Sequence, residues 1–283
     1  MMFLATVRNT LRTLLRSVSF RLVFAVFAFI QLRHGLQDHV VAAPGFSLPP
    51  QLSFPEYAQL LDGVVYGGSL IYPLAILTVV STALVMNRDY GDSFYEVEKA
   101  AGVKPARYLF GRLCAIIALV FLVQFLLSFT AMHISVYRRG GLEGYSALGY
   151  FGDSLLRLLR MNLCMALPQI LFFVGVTQLL GSLFRNGFAA SIGGIAYALA
   201  SYALLGRFRY SGSEAWYAYY QYFSPMPEKL RYYLLFLGWT NEQEMLELYG
   251  CSFGKAAFCI AFLTGVFVAC ACRSYCLVRR REI

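Results

Sequence analysis

Apolar residues along this chain gather into long runs separated by short polar breaks, and those runs set its organisation. Residues 64–86, 108–135, 161–184, 188–206 and 256–275 each approach or exceed the roughly 20 apolar positions a helix needs to cross a bilayer. A further run, 17–36, has an uninterrupted core only at 22–30, so Arg21 and Arg33 must reach opposite faces along their aliphatic stems. Ahead of it, Phe3, Leu4, Val7, Leu11, Leu14, Leu15 and Val18 make a helical stripe, with Arg8, Arg12 and Arg16 repeating every four residues beside it. That pattern predicts an interfacial helix over about 3–16, lying on an anionic leaflet. A cleavable leader is the competing reading, because Val41, Ala42 and Ala43 resemble a cleavage site; Arg33, His34 and Asp38 intervene, which favours an uncleaved span.

The most explicit polar break is residues 87–113. Tyr90, Phe94, Val97 and Ala101 fall at i, i+4, i+7 and i+11, on one helical stripe, while Glu96 and Lys99 point elsewhere. Ser93 and Glu96 have the spacing of a capping box, Gly102 suits the left-handed position that ends a helix, and Pro105 suits the first turn of the next. The spacing predicts a short amphipathic helix over 94–101 between two spans. Its apolar stripe must lie on lipid headgroups or dock on another protein.

Other breaks are less regular. The segment after the first span is rich in Pro (Pro44, Pro49, Pro50, Pro55) and reads as a loop, and 153–160 reads as a short capped helix. Residues 207–255 crowd Trp216, Tyr217, Tyr219, Tyr220, Tyr222 and Phe223 before Pro225, Pro227 and the apolar stretch 232–239. That stretch is too short to cross, so the region dips into the membrane or lies at its surface, as an anchoring belt or as a gate. Pro73 and Pro168 predict kinks, and Ala190, Gly194 and Ala198 form a small-residue ridge for close helix contact, within the subunit or across a dimer.

Composition agrees with a membrane reading. Hydrophobic residues are 59% of the 283 and charged residues 14%, about half a soluble domain's share. The net charge of +9 is a matter of topology rather than of nucleic acid: with both termini inside, more than half of the 24 basic residues and only a third of the 15 acidic ones are cytoplasmic. Residues 87–113 are then cytoplasmic as well.

Several chemistries find no support. Gly144 to Gly149 has the glycine spacing of a phosphate-cradling loop, but Tyr150 and Phe151 follow where Lys and a hydroxyl are needed. The sequence has no H-E-x-x-H and no G-x-S-x-G, and the seven cysteines have neither disulfide-framework nor convincing metal spacing. Ionisable groups are nearly missing from the spans, which disfavours a proton or ion pump. The neutral polar residues Thr78, Ser81, Thr82, Gln124, Gln169, Gln178 and Ser191, beside Gly194, either line a route for an amphipathic substrate or hydrogen-bond between helices. A different class, a membrane enzyme or assembly factor working through the outer aromatic region, would rely on Glu214, Glu228, Glu242, Glu244 and Glu247, which read better as a solvated outer helix.

The layout as a whole, an interfacial elbow helix, six spans, a short cytoplasmic helix between the second and third, and a re-entrant aromatic region before the sixth, resembles the membrane subunits of type-2 ABC exporters. The stretch RDYGDSFYEVEKAAGVKPARYLFGRL is similar to that family's acidic residue, small-residue turn, glutamate, second small turn and basic helix; the places here are Asp89, Gly91, Glu96, Gly102 and Arg112. Ser224 and Pro225 resemble its segment before the last span. The resemblance implies an all-α membrane protein, one permease domain over 1–283, pairing with a second copy or paralogue in the cell membrane and touching lipid but no nucleic acid. Each permease would take an ABC-type ATPase subunit that holds the ATP and Mg²⁺, leaving this chain without cofactor or catalytic residues. Helix 94–101 would be the coupling element: Tyr90, Phe94 and Val97 fill a groove on the ATPase, and Arg88, Asp89, Glu96 and Lys99 set the register. Export of a drug, antimicrobial peptide or lipid-like molecule is the expected activity.

Overall fold

The computed structural model describes residues 2–36, 71–91, 94–147, 155–208, 214–225, 227–237 and 241–279; the Pro-rich loop and the start of the second predicted span lie outside them. Regular structure among the described residues is helical. In chain order the helices are α1 (Met2–Arg16), α2 (Val18–Leu36), α3 (Ile71–Gly91), α4 (Phe94–Ala100), α5 (Pro105–Ala147), α6 (Leu155–Met161), α7 (Leu167–Phe184), α8 (Gly187–Phe208), α9 (Glu214–Ala218), α10 (Glu228–Phe236), α11 (Glu242–Tyr249) and α12 (Phe253–Arg279).

Three helical stretches, Pro105–Ile134, Leu155–Phe184 and Phe253–Arg279, are long and apolar enough to cross a membrane, and α1 with α2 makes a fourth if the bent pair is counted as one span. Helices α3 and α8 occupy the described parts of the second and fifth predicted spans without meeting both criteria among the described residues. The chain bends by 72° between α1 and α2. Ser17 makes the bend: its N–H still donates to the carbonyls of Thr13 and Leu14 at 3.2 and 3.0 Å, while its hydroxyl accepts from the Phe20 N–H at 3.4 Å and caps the new helix.

The two proline kinks take other forms. Pro73 stands in the first turn of α3, where a missing N–H loses no intrahelical bond. Pro168 follows a π-helical turn, Asn162–Ala166, in which the Leu167 N–H reaches back five residues to the Asn162 carbonyl. A proline ring inside a helix would strike the carbonyl four residues back, and widening the turn relieves that contact without breaking the helix. The dihedrals of Ala166 (φ −64°, ψ −41°) stay helical, so α6 runs into α7 as one element.

One core joins Leu14 of α1, Phe20 and Phe27 of α2, Leu77 of α3, Leu113 and Ile116 of α5, Ile170 and Val174 of α7, and Ala271 of α12. Within lipid, burial gains packing rather than escape from water, so closeness of fit decides. A Cβ on Gly175 would stand 2.9 Å from the Phe267 Cα, which is why α7 and α12 can lie together. A Cβ on Gly194 would stand 2.7 Å from the Val79 Cγ1, and Ala190 and Ala198 are buried. The small-residue ridge of α8 is therefore used inside the subunit, against α3 and α7.

At the end of the bundle away from α4, the aromatic region folds onto the ends of α5, α6 and α12. Leu230, Tyr233, Leu234 and Leu235 of α10 join Met245 of α11 in a core with Ala131, Met132, Leu158, Met165 and Cys259. Arg157 and Arg160 both donate to the Leu237 carbonyl, at 3.5 and 3.1 Å, satisfying the open end of α10.

Candidate functional site at the α3 to α5 junction

Local chemistry fixes the C-terminal edge of α4. Gly102 adopts φ +82°, the left-handed region that a side chain disfavours, and its N–H donates to the Lys99 carbonyl at 2.9 Å. The helix ends at Ala100, one residue short of the predicted 94–101, and Pro105 opens α5 as expected. Ser93, and with it the capping box, lies outside the described residues, as does the side chain of Phe94.

The predicted apolar stripe is open at Val97 and Ala101. Val97 is 62% exposed and Ala101 is exposed, while Tyr90 is half-buried. Glu96 and Lys99 are exposed beside Val97. A valine held out on a seven-residue helix gains nothing within the subunit, and helices this short depend on what they pack against.

The other charges expected to face a partner turn elsewhere. Asp89 is 8% exposed and Arg112 3% exposed, and they form an ion pair. The Tyr108 hydroxyl donates to the second Asp89 carboxylate oxygen, and the Arg112 guanidinium lies over the Tyr108 ring, 4.9 Å from its centre. The remaining Arg112 donors, Nε and Nη2, have no hydrogen-bond partner among the described residues. Arg88 extends the other way and donates to the Thr13 hydroxyl of α1. The last turn of α3 is thus bolted to the first turns of α5 and to the final turn of α1, directly at the root of α4. A buried pair of this kind adds little net stability over an apolar substitute, yet losing one partner is costly, because a bare charge is left inside. It acts as a lock on geometry.

Most of the neutral polar residues of the spans hydrogen-bond within their own helices. Thr78, Ser81 and Thr82 donate to carbonyls of their own helix, at 2.7, 2.5 and 2.8 Å. Gln124 donates to Ser128 at 3.0 Å, and Gln31 of α2 donates to the same hydroxyl at 3.4 Å, tying α2 to α5. Gln178 donates to Ser182 at 3.3 Å, and Ser191 donates to the Phe188 carbonyl at 2.7 Å. Gln169 is buried on α7, and its amide nitrogen has no hydrogen-bond partner among the described residues. Gln31 and Ser128 were not singled out from the sequence, although Ser128 stands one turn beyond Gln124 on the same face.

The aromatic region holds itself by ring packing: Phe223 meets Phe258 and Phe262 edge-on at 5.8 and 5.1 Å. Burial raises the Tyr222 and Tyr233 hydroxyls and the Cys251 thiol above their ordinary values. Glu214, Glu242, Glu244 and Glu247 are exposed, whereas Glu228 is buried at the start of α10. No protein-family model, curated protein or solved structure matches this chain.

Proposed function

We propose that this chain is the membrane-spanning permease subunit of an ABC transporter, exporting an amphipathic substrate with ATP hydrolysed by a separate ABC-type ATPase subunit. In this reading α1 is an interfacial elbow, α2, α3, α5, the joined α6 and α7, α8 and α12 are six spans, and both termini are cytoplasmic. The carrying observation is α4: a seven-residue helix that leaves Val97 62% exposed while its root is locked to α1 and α5. Such an element is suited to take a push from outside and pass it on. Docking falls to Val97, Glu96 and Lys99, with Phe94 and Tyr90 at the edge of the same stripe, while Asp89 and Arg88 hold the lever to the body. A second permease, identical or paralogous, pairs with this one.

The test is capture of the ATPase. The tagged chain is purified from its native membranes in mild detergent, and vanadate-sensitive ATP hydrolysis is measured. A co-purifying ATPase with a phosphate-binding loop, released by Phe94→Ala with Glu96→Lys while membrane insertion persists, is the expected result. Co-purification unchanged by that pair of substitutions would defeat the docking claim.

A further inference from the structure

Helix α1 carries three distinct stripes. At about 100° per residue, Thr6, Thr10, Thr13 and Leu14 share one side, and burial follows it: Thr6 is 2% exposed, Thr10 5% and Leu14 0%. That side lies on α5, where a Cβ at Gly111 would come 3.3 Å from the Thr6 methyl. The threonine hydroxyls need no water there; Thr10 and Thr13 donate to the carbonyls of Thr6 and Asn9 at 2.9 and 2.8 Å. The second stripe is apolar and outward, with Leu4 70% and Leu15 55% exposed and Leu11 half-buried between them. The third, adjacent to the leucines, is Arg8, Arg12 and Arg16, all exposed, on a helix without an acidic residue.

A helix that turns small hydroxyls to its own protein, leucines to one open side and guanidiniums to the next fits the boundary between acyl chains and headgroups. Leucines enter the acyl region, and the neighbouring arginines stand at the depth of the phosphates. Guanidinium groups bind phosphate oxygens in a fork, and a row of cations without acids selects anionic over zwitterionic lipid. The same helix is tied to the candidate site, because Arg88 at the root of α4 donates to Thr13, on the side of α1 away from the leucines.

We propose that α1 is an anionic-phospholipid sensor: Arg8, Arg12 and Arg16 take lipid phosphates, and Thr13 passes the position of α1 to Arg88 at the α3 to α5 junction. This rests on the membrane reading above and is independent of any ATPase. Seated on anionic lipid, α1 holds the junction in one geometry; in neutral lipid the junction is looser.

The experiment uses the full chain in nanodiscs of equal phosphatidylglycerol and phosphatidylcholine. Lipids retained after transfer to mild neutral detergent are counted by mass spectrometry, and amide exchange is followed over residues 86–104. Phosphatidylglycerol should be enriched. Each single change, Arg8→Gln, Arg12→Gln or Arg16→Gln, should cut that enrichment about fivefold, and high salt should abolish it. The control Arg273→Gln with Arg279→Gln, which removes exposed cations of α12, should leave it intact. Thr13→Val should keep the enrichment but lose the slowing of exchange that phosphatidylglycerol brings. Enrichment that survives all three arginine changes, or falls equally in the α12 control, would overturn the lipid site; slowing that persists in Thr13→Val would overturn the link to the junction.

Discussion

At the α4 end of the bundle the chain buries an ion pair, Asp89 with Arg112, and leaves a valine in the open; at the opposite end it folds α10 and α11 down until Leu230, Tyr233 and Met245 are nearly sealed. The first end depends on a few directional contacts whose partners lie on three different helices. The second depends on apolar area and ring packing spread over many side chains. Directional contacts define one geometry and fail abruptly when a partner is lost. Spread contacts tolerate loss in proportion. An end meant to transmit displacement is better built in the first way, and an end meant to stay closed in the second.

The contrast can be broken most directly at the lock. Asp89→Ala or Arg112→Ala alone should cost about 3–5 kcal/mol, read as a lowered unfolding midpoint in detergent, whereas Asp89→Leu with Arg112→Met should recover most of it. Equal loss in the single and double variants would mean that the pair is not a unit. At the far end Leu230→Ala should cost about 2–4 kcal/mol by the same measurement and leave capture of an ATPase unchanged, since the cavity lies away from α4. Between them, Gly194→Ala should cost about 1–3 kcal/mol, because its new methyl meets Val79 across the α3 to α8 contact.

Smaller changes sharpen the comparison. Val97→Ala should move stability by less than about 0.5 kcal/mol, yet weaken ATPase co-purification, which separates an exposed functional side chain from a core one. Cys251 gives the far end a pH signature. Burial raises its thiol in the fold, so its contribution is complete below the ordinary thiol range and fades as pH rises through the folded value. The stability difference between the native chain and Cys251→Ala should therefore shrink as pH rises above the ordinary thiol value of about 8.5, and maleimide labelling of Cys251 should lag behind that of the exposed Cys276.

Helix positions were legible in the sequence because apolar periodicity and punctuation act locally. Gly102 and Pro105 marked the edges of the turn after α4, and α4 itself differs from expectation by one residue. Partners were less legible. Asp89 reads from the sequence as one more charge in a polar break; its pairing with Arg112, on the far side of α4, depends on how α3 and α5 lie together. Tyr108 and Arg112, four residues apart, did share a face, which was the available signal that both turn inward. Gly194 announced close contact but not with what, because a ridge of small residues looks the same whether its neighbour is in the same chain or another. The bonding of the polar residues in the spans could not be read from type alone: a hydroxyl that bonds to its own helix, as at Thr78 and Thr82, is indistinguishable in sequence from one that bonds across to another.

The widened turn at Asn162–Ala166 has a consequence for phase. It adds a residue to one turn, so everything after it is rotated by about 100° relative to an unbroken helix. The side of α7 that carries Ile170, Val174, Thr177 and Gly181 keeps step with Leu158 of α6 because of that rotation. Deleting Leu163 would return the turn to regular pitch and swing either Leu158 of α6 or Ile170 and Val174 of α7 onto the wrong side, so a single-residue deletion there should do more harm than most substitutions in the same helix. The extra residue works as a clutch plate, letting two halves of one rod face different neighbours.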